Sequence, residues 1–338
     1  MSEMPIASAD QVTPGWLTDV LRRNGHLPSG QVTALEKTEQ RPFGSLTIWI
    51  KATYSDSIPA ADLPSAFLLK IDGPGTLAGS REVEFYSRFA TPGATAPWFD
   101  AVYDSDQRAY HLLLADLSAT HYTVEREAPP TRAEAERMID TLAALHAAWW
   151  DKADTGLVDQ DLIENGIPDL AGWFDFMGER LAKDRRRIYE QICAELPALL
   201  RARLHGSTTL VHDDAHTWNF MQPRNPQHTQ AVLIDWQQWG RSCPMHDVAY
   251  LIGLFWYPDY RQRQERAIIE RYYQRLLEHG VHGYSRDDCW YDYRLYLMRN
   301  MLVPLWAWTW GHWAPHRWGQ LEKALFAFHD LHCDDLLG

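Results

Sequence analysis

Up to about residue 118, apolar and polar residues mostly alternate with the two-residue period of strands. Beyond it, apolar residues recur at spacings of three and four, the period of helices. The first stretch is an exception. Val12, Trp16, Leu17, Val20 and Leu21 share one helical face over residues 10–25, and Thr13-Pro14 marks the start. Strands are then predicted over 31–38 and 46–54. In the second, Leu46, Ile48 and Ile50 face one way and Thr47, Trp49 and Lys51 the other. The Arg41-Pro42-Phe43-Gly44-Ser45 turn joins them into a hairpin. With the single Gly44, it reads equally as a plain turn or as a cover for phosphates that includes Ser45. A short apolar strand over 66–71 carries one lysine, Lys70. A helix over 80–89 holds Glu82 and Glu84. A buried strand over 110–115 runs into Asp116-Leu117-Ser118, which suits a hinge.

The helical part begins with Thr131 as N-cap and Glu134 completing a capping box. The face of that helix is Met138, Leu142, Leu145 and Trp149, and it ends near residues 150–151. Residues 156–170 read as loop and 171–204 as a helix bent at Pro197, whose basic run 183–187 is taken as a solvated face. A strand–loop–strand occupies 210–236. Helices follow from Val248 and over 260–280, 286–310 and 317–335. The sum is an α+β, two-lobed arrangement: residues 1–117 as a small β-rich N-lobe and 118–338 as a larger helical C-lobe.

Composition narrows the partners. Of 338 residues 46% are hydrophobic, enough for a large core, and 32 Lys+Arg against 45 Asp+Glu give a net charge of −13. That charge argues against nucleic acid and anionic membranes. Cys193, Cys243, Cys289 and Cys333 are widely spaced without a C-x-x-C, so neither a zinc site nor a disulfide framework is indicated. The first residues lack the basic and apolar regions of a signal peptide, and a cytoplasmic location is expected. The Trp-rich run 297–315 is interrupted by Arg299, Pro304 and His312, so it is not read as membrane-spanning.

The chemistry concentrates at the ends of the later strands. Leu210-Val211 empties into His212-Asp213-Asp214-Ala215-His216-Thr217-Trp218-Asn219, and Val232-Leu233-Ile234 ends on Asp235. Phosphoryl transfer from ATP requires a carboxylate to orient a hydroxyl, and an amide with a second carboxylate to hold Mg²⁺. Asp214, Asn219 and Asp235 supply those types in that order. Lys70 on its strand, paired with Glu82 on the next helix, is the grip that kinases place on the α/β-phosphates. Residues 73–80 superficially look like a phosphate-binding loop, but Gly79 stands where a Walker loop has lysine. The aromatics of the last third admit two readings. Trp306, Trp310 and Trp313 are taken as core at helical spacing rather than as a cage for a quaternary ammonium.

With these residues in order, the chain resembles the aminoglycoside phosphotransferase/choline kinase superfamily, of protein-kinase-like fold, and most closely its ecdysteroid-kinase-like branch. Further phrases carry the resemblance along almost the whole chain: Arg81-Glu82-Val83-Glu84-Phe85-Tyr86, Leu142 to Trp150, and Asp247-Val248-Ala249-Tyr250-Leu251. The resemblance implies an ATP- and Mg²⁺-dependent kinase acting on a small-molecule hydroxyl, with Asp214 as base and Asn219 and Asp235 on the metal. Ser45, Lys70, Glu82, Asp116 and Ser118 would serve the nucleotide, the last two from the hinge. Asp247 is expected to tie its segment to the catalytic loop, and His212 to brace that loop. The family's common His-Gly-Asp is departed from at Asp213, which is expected to point into solvent. Two rival readings are a nucleotide-binding pseudokinase without transferase activity and a metallohydrolase built on His212 and His216.

Overall fold

The computed structural model describes residues 4–41, 46–55, 64–72, 78–125, 128–152, 169–204, 206–228 and 230–338. The 41–45 turn, with Ser45, and most of the 73–80 loop therefore lie outside the described residues. The chain divides into two compact units. The first comprises Met1–Tyr122, Pro223–Asn225 and Val232–Gln237; the second comprises Thr123–Gln222, Pro226–Ala231 and Gln238–Gly338.

The first unit is built on a five-stranded antiparallel sheet of order β1-β2-β3-β5-β4. Its strands are β1 (Val32–Gln40), β2 (Leu46–Tyr54), β3 (Ala66–Asp72), β4 (Trp98–Asp104) and β5 (Ala109–Ala115). Leu46, Ile48 and Ile50 are buried and Lys51 is exposed, as the alternation predicts, although Thr47 on the second face is buried as well. These residues join Phe67, Leu69 and Leu113 in a core capped by α1 (Pro14–Arg23), which contributes Leu17, Val20 and Leu21. Thr13 caps α1 by accepting the Trp16 N–H at 3.1 Å. Lys70 sits in the central strand, opposite Thr47 on one side and Leu112 on the other. Helix α2 (Ala78–Arg88) passes so close to β5 that a Cβ on Gly79 would lie 1.9 Å from the Tyr110 ring. Glycine is required there for packing, which accounts for the residue without any phosphate.

The second unit is helical. Its helices are α3 (Arg132–Ala148), α4 (Leu170–Met177), α5 (Lys183–Leu204), α6 (Met245–Phe255), α7 (Pro258–Glu278), α8 (Arg286–Asn300), α9 (Val303–Thr309) and α10 (Pro315–Asp330). The capping box at Thr131 and Glu134 forms as predicted. Helix α3 packs along α7, and α6 packs against α8 and α10. A two-stranded antiparallel ribbon, β6 (Thr209–Val211) with β7 (Gly240–Ser242), brings the start of the 212–219 loop beside the start of α6.

Several sequence expectations are corrected. The 171–204 segment is two helices, broken at Gly178 with φ +52°, while Pro197 lies inside the continuous α5. The basic run is not simply solvated: Arg185 pairs with Glu322 at 2.5 Å, and Arg186 donates to the Phe174 and Gly178 carbonyls. The 286–310 segment also splits, because α8 stops at Asn300 and Pro304 opens α9. Trp310 consequently leaves the core. It is 67% exposed and stacks on Trp306 with ring centroids 6.4 Å apart.

Candidate active-site residues

In the first unit, Glu82 on α2 is buried and accepts from the Lys70 ammonium at 2.7 Å. Glu84, the other candidate on this helix, is turned outward to Arg88. Lys70 also reaches the Asp235 carboxylate at 3.3 Å. Burial works against the ammonium, but Glu82, and Asp235 after it, outweigh that cost and hold the lysine pKa above its usual range. Lys70 is therefore a charged group in an apolar sheet.

Asp235 arrives on the 232–237 segment, which is fastened to this unit at three points. The Leu233 N–H donates to the Ala94 carbonyl at 2.8 Å. Trp236 stacks flat on Phe85, centroids 3.7 Å apart. Arg81 Nε donates to the Gln237 carbonyl at 3.0 Å. Asp235 itself has φ +69°, a left-handed conformation that aspartate adopts more readily than most non-glycine residues. At the proposed hinge, Asp116 Oδ1 accepts the Ser118 N–H at 2.9 Å, closing a small Asx turn after β5.

In the second unit, the 212–219 loop hangs on one buried carboxylate. Asp247 on the first turn of α6 accepts the His212 N–H at 2.7 Å and the Asp213 N–H at 3.0 Å. Burial pushes Asp247 toward its neutral form. His146, 3.2 Å away, and then His246 and His212, outweigh that and hold its pKa below the carboxylate range. The His146 ring is fixed in turn by the Tyr272 hydroxyl at 2.6 Å. The expectation for Asp247 as a structural tie is thus met in geometry. His212 braces the loop as expected, its buried Nδ1 accepting the Asp214 N–H at 3.2 Å.

Asp214 is held from two sides. Asn219 donates its Nδ2 to the Asp214 carbonyl at 2.9 Å, and Tyr250 donates its hydroxyl to Asp214 Oδ1 at 2.9 Å. Burial and the adjoining carboxylate raise the Tyr250 pKa well above the usual phenol value, so it remains a donor. His216 Nε2 lies 3.7 Å from Asp214 Oδ2. His216, Trp218, Tyr250 and Phe255 form a ring cluster beside the loop, with centroids 5.3–5.5 Å apart. Sequence reasoning missed Tyr250 as a functional group. Its only signal is a polar ring in an apolar helix three residues after Asp247.

The Asn219 Nδ2 is engaged by the Asp214 carbonyl, so an oxygen-seeking cation such as Mg²⁺ would meet this amide through Oδ1. Among the described residues, no group of three or more His, Cys, Asp or Glu is arranged to hold a metal, which gives the metallohydrolase reading no support. No helix among them is long and apolar enough to cross a membrane.

The phosphotransferase enzyme family, APH, matches residues 60–287. The chain belongs to that family. An aminoglycoside-phosphotransferase-like protein from Ralstonia eutropha JMP134 superposes with a TM-score of 0.55 at 13% identity, over 96% of this chain and 99% of the other. The microcompartment-associated aminopropanol kinase gives 0.53 at 13% identity, over 93% and 97%. The fold is accordingly the kinase-like α+β arrangement of these enzymes. No curated protein matches by sequence.

Proposed function

We propose that the chain transfers the γ-phosphoryl group of ATP to a hydroxyl of a small molecule. The observation that carries this reading is the convergence of Lys70, Glu82 and Asp235, remote in sequence, into one charged cluster. A lysine kept charged inside a sheet needs a use for that charge, and nucleotide phosphates provide one. In this reading Lys70, aimed by Glu82, holds the α/β-phosphates. Asp116 and Ser118 serve the adenine side through the hinge backbone, and Ser45 covers the phosphates. Asn219 and Asp235 hold Mg²⁺, which offsets charge on the phosphate oxygens when bound.

Asp214 orients the acceptor hydroxyl and takes its proton late. The loose transition state of phosphoryl transfer asks more for alignment than for base strength. Tyr250 supports that role by occupying Oδ1, which leaves Oδ2 to the acceptor. The four cysteines are free thiols, which supports a reducing, cytoplasmic setting.

The test is an ADP-release screen with Mg-ATP against amino alcohols, choline analogues, amino sugars, aminoglycosides, sterols and hydroxyacids. The sterols represent the ecdysteroid-kinase-like branch. One class is expected to release ADP in step with phosphorylated alcohol. Tight Mg-ATP binding with no turnover on any class would replace this reading with the pseudokinase.

A further inference from the structure

Asp213 has a φ of +63°, in the left-handed region that favours glycine. Aspartate tolerates that region better than most residues, which by itself would account for its presence. Its side chain, however, does not point idly into solvent as the sequence suggested. Asp213 Oδ1 lies 2.6 Å from His246 Nε2 and 3.4 Å from Arg299 Nη2. Both partners are buried. His246 sits in the first turn of α6, and its Nδ1 is 3.2 Å from Ser242 Oγ, itself 3.2 Å from the Tyr296 hydroxyl. The imidazole is thus braced behind the contact. Arg299 lies at the end of α8, its guanidinium 5.2 Å from the Trp306 ring centroid.

We propose that Asp213 is a positioning residue, whose carboxylate latches the loop carrying Asp214 to α6 and α8. The Asp247 contacts hold the backbone of residues 212 and 213 from the N–H side. The latch adds a side-chain anchor one residue before the group that must stay aligned. Removing the carboxylate would take this contact from the buried Arg299 guanidinium, an unfavourable change. This inference rests on the reading of Asp214 as the residue that orients the acceptor.

The deciding variant is Asp213→Gly, because the two possibilities predict opposite signs. If Asp213 is merely tolerated, glycine relieves the left-handed backbone, raises the melting temperature and leaves turnover unchanged. If it is a latch, Asp213→Gly melts lower, and kcat for hydrolysis of Mg-ATP by water falls about tenfold with KM for ATP within about twofold. Asp213→Asn, which keeps an acceptor oxygen, recovers part of the loss. Arg299→Met combined with Asp213→Gly is no worse than the poorer single variant, as expected for members of one contact. A higher melting temperature for Asp213→Gly, unchanged kcat, or losses that multiply in the double variant would overturn the latch. The melting comparison decides without any turnover. Asp214→Asn run alongside separates the two readings. If it keeps wild-type turnover, the role of Asp214 fails; if it is inactive while Asp213→Gly is unaffected, only the latch fails.

Discussion

The two units position their charged groups by different means. In the first, Lys70 pairs with Glu82 and Asp235 at 2.7 and 3.3 Å, while the Asp235 segment is fastened through Leu233, Trp236 and Gln237. In the second, Asp214 is held by its surroundings: two backbone N–H groups of its loop on Asp247, its own N–H on His212, its carbonyl on Asn219 and its Oδ1 on Tyr250. A mutually paired cluster loses its geometry when one charge is removed. A loop held by many separate hydrogen bonds should instead degrade in steps. The difference suits the proposed tasks, since phosphates can replace one charge partner with another, whereas an acceptor must be met by a fixed oxygen.

The comparison can be broken most directly at Asp214. Asp214→Asn is expected to lower kcat about 10³-fold while Mg-ATP affinity by calorimetry changes little. A loss of ATP binding of similar size would erase the division of labour. Next comes Asp247→Ala, which removes both loop acceptors and leaves His146 facing a void. A loss of about 3 kcal/mol in urea unfolding is expected, as for breaking a buried pair. Glu82→Gln removes one charge partner of Lys70 and is expected to weaken Mg-ATP binding about 30-fold, on the scale of a charged hydrogen bond of about 2 kcal/mol. Tyr250→Phe keeps the ring and loses only the donor, so kcat should fall about tenfold with KM for ATP unmoved.

The smallest effect concerns Asp100 on β4, which is close to His111, Arg23 and Asn24. Burial opposes its ionisation, but the His111 hydrogen bond and charge, and then Arg23, win and lower its pKa. A carboxyl depressed on folding stabilises above its unfolded pKa of about 3.9 and loses that contribution as pH falls through the lower folded value. The melting-temperature advantage of wild type over Asp100→Asn should therefore be full at neutral pH and shrink below about pH 4.

Elements whose pattern follows from one buried face were legible in the sequence. These are β2 with its alternation, α1 with its Thr13 cap, and α3 with its capping box. Strand β4 was not, because Asp100 and partly buried neighbours break the alternation, and its reason for being there is the contact with β5. Helix ends inside 171–204 and 286–310 were misjudged: Pro197 lies within a continuous helix while the break falls at Gly178, and the second segment was read as one helix across the break near Met301. Of the candidate site, Lys70, Glu82, Asp214, Asn219 and Asp235 could be picked out by residue type and order. Tyr250, His246 and Arg299 could not, since they act across helices far along the chain and look locally like ordinary core or surface residues.

The first unit is written in pieces along the gene. Its sheet strands end at Ala115, yet the ring that covers Phe85 and the carboxylate beside Lys70 come from residues 232–237. During synthesis the sheet leaves the ribosome long before Trp236 exists, so Phe85 stays uncovered and Lys70 has only Glu82 for company. The unit that is first to be made is thus among the last to be finished, and a chain truncated before residue 235 would carry its sheet without the carboxylate of Asp235.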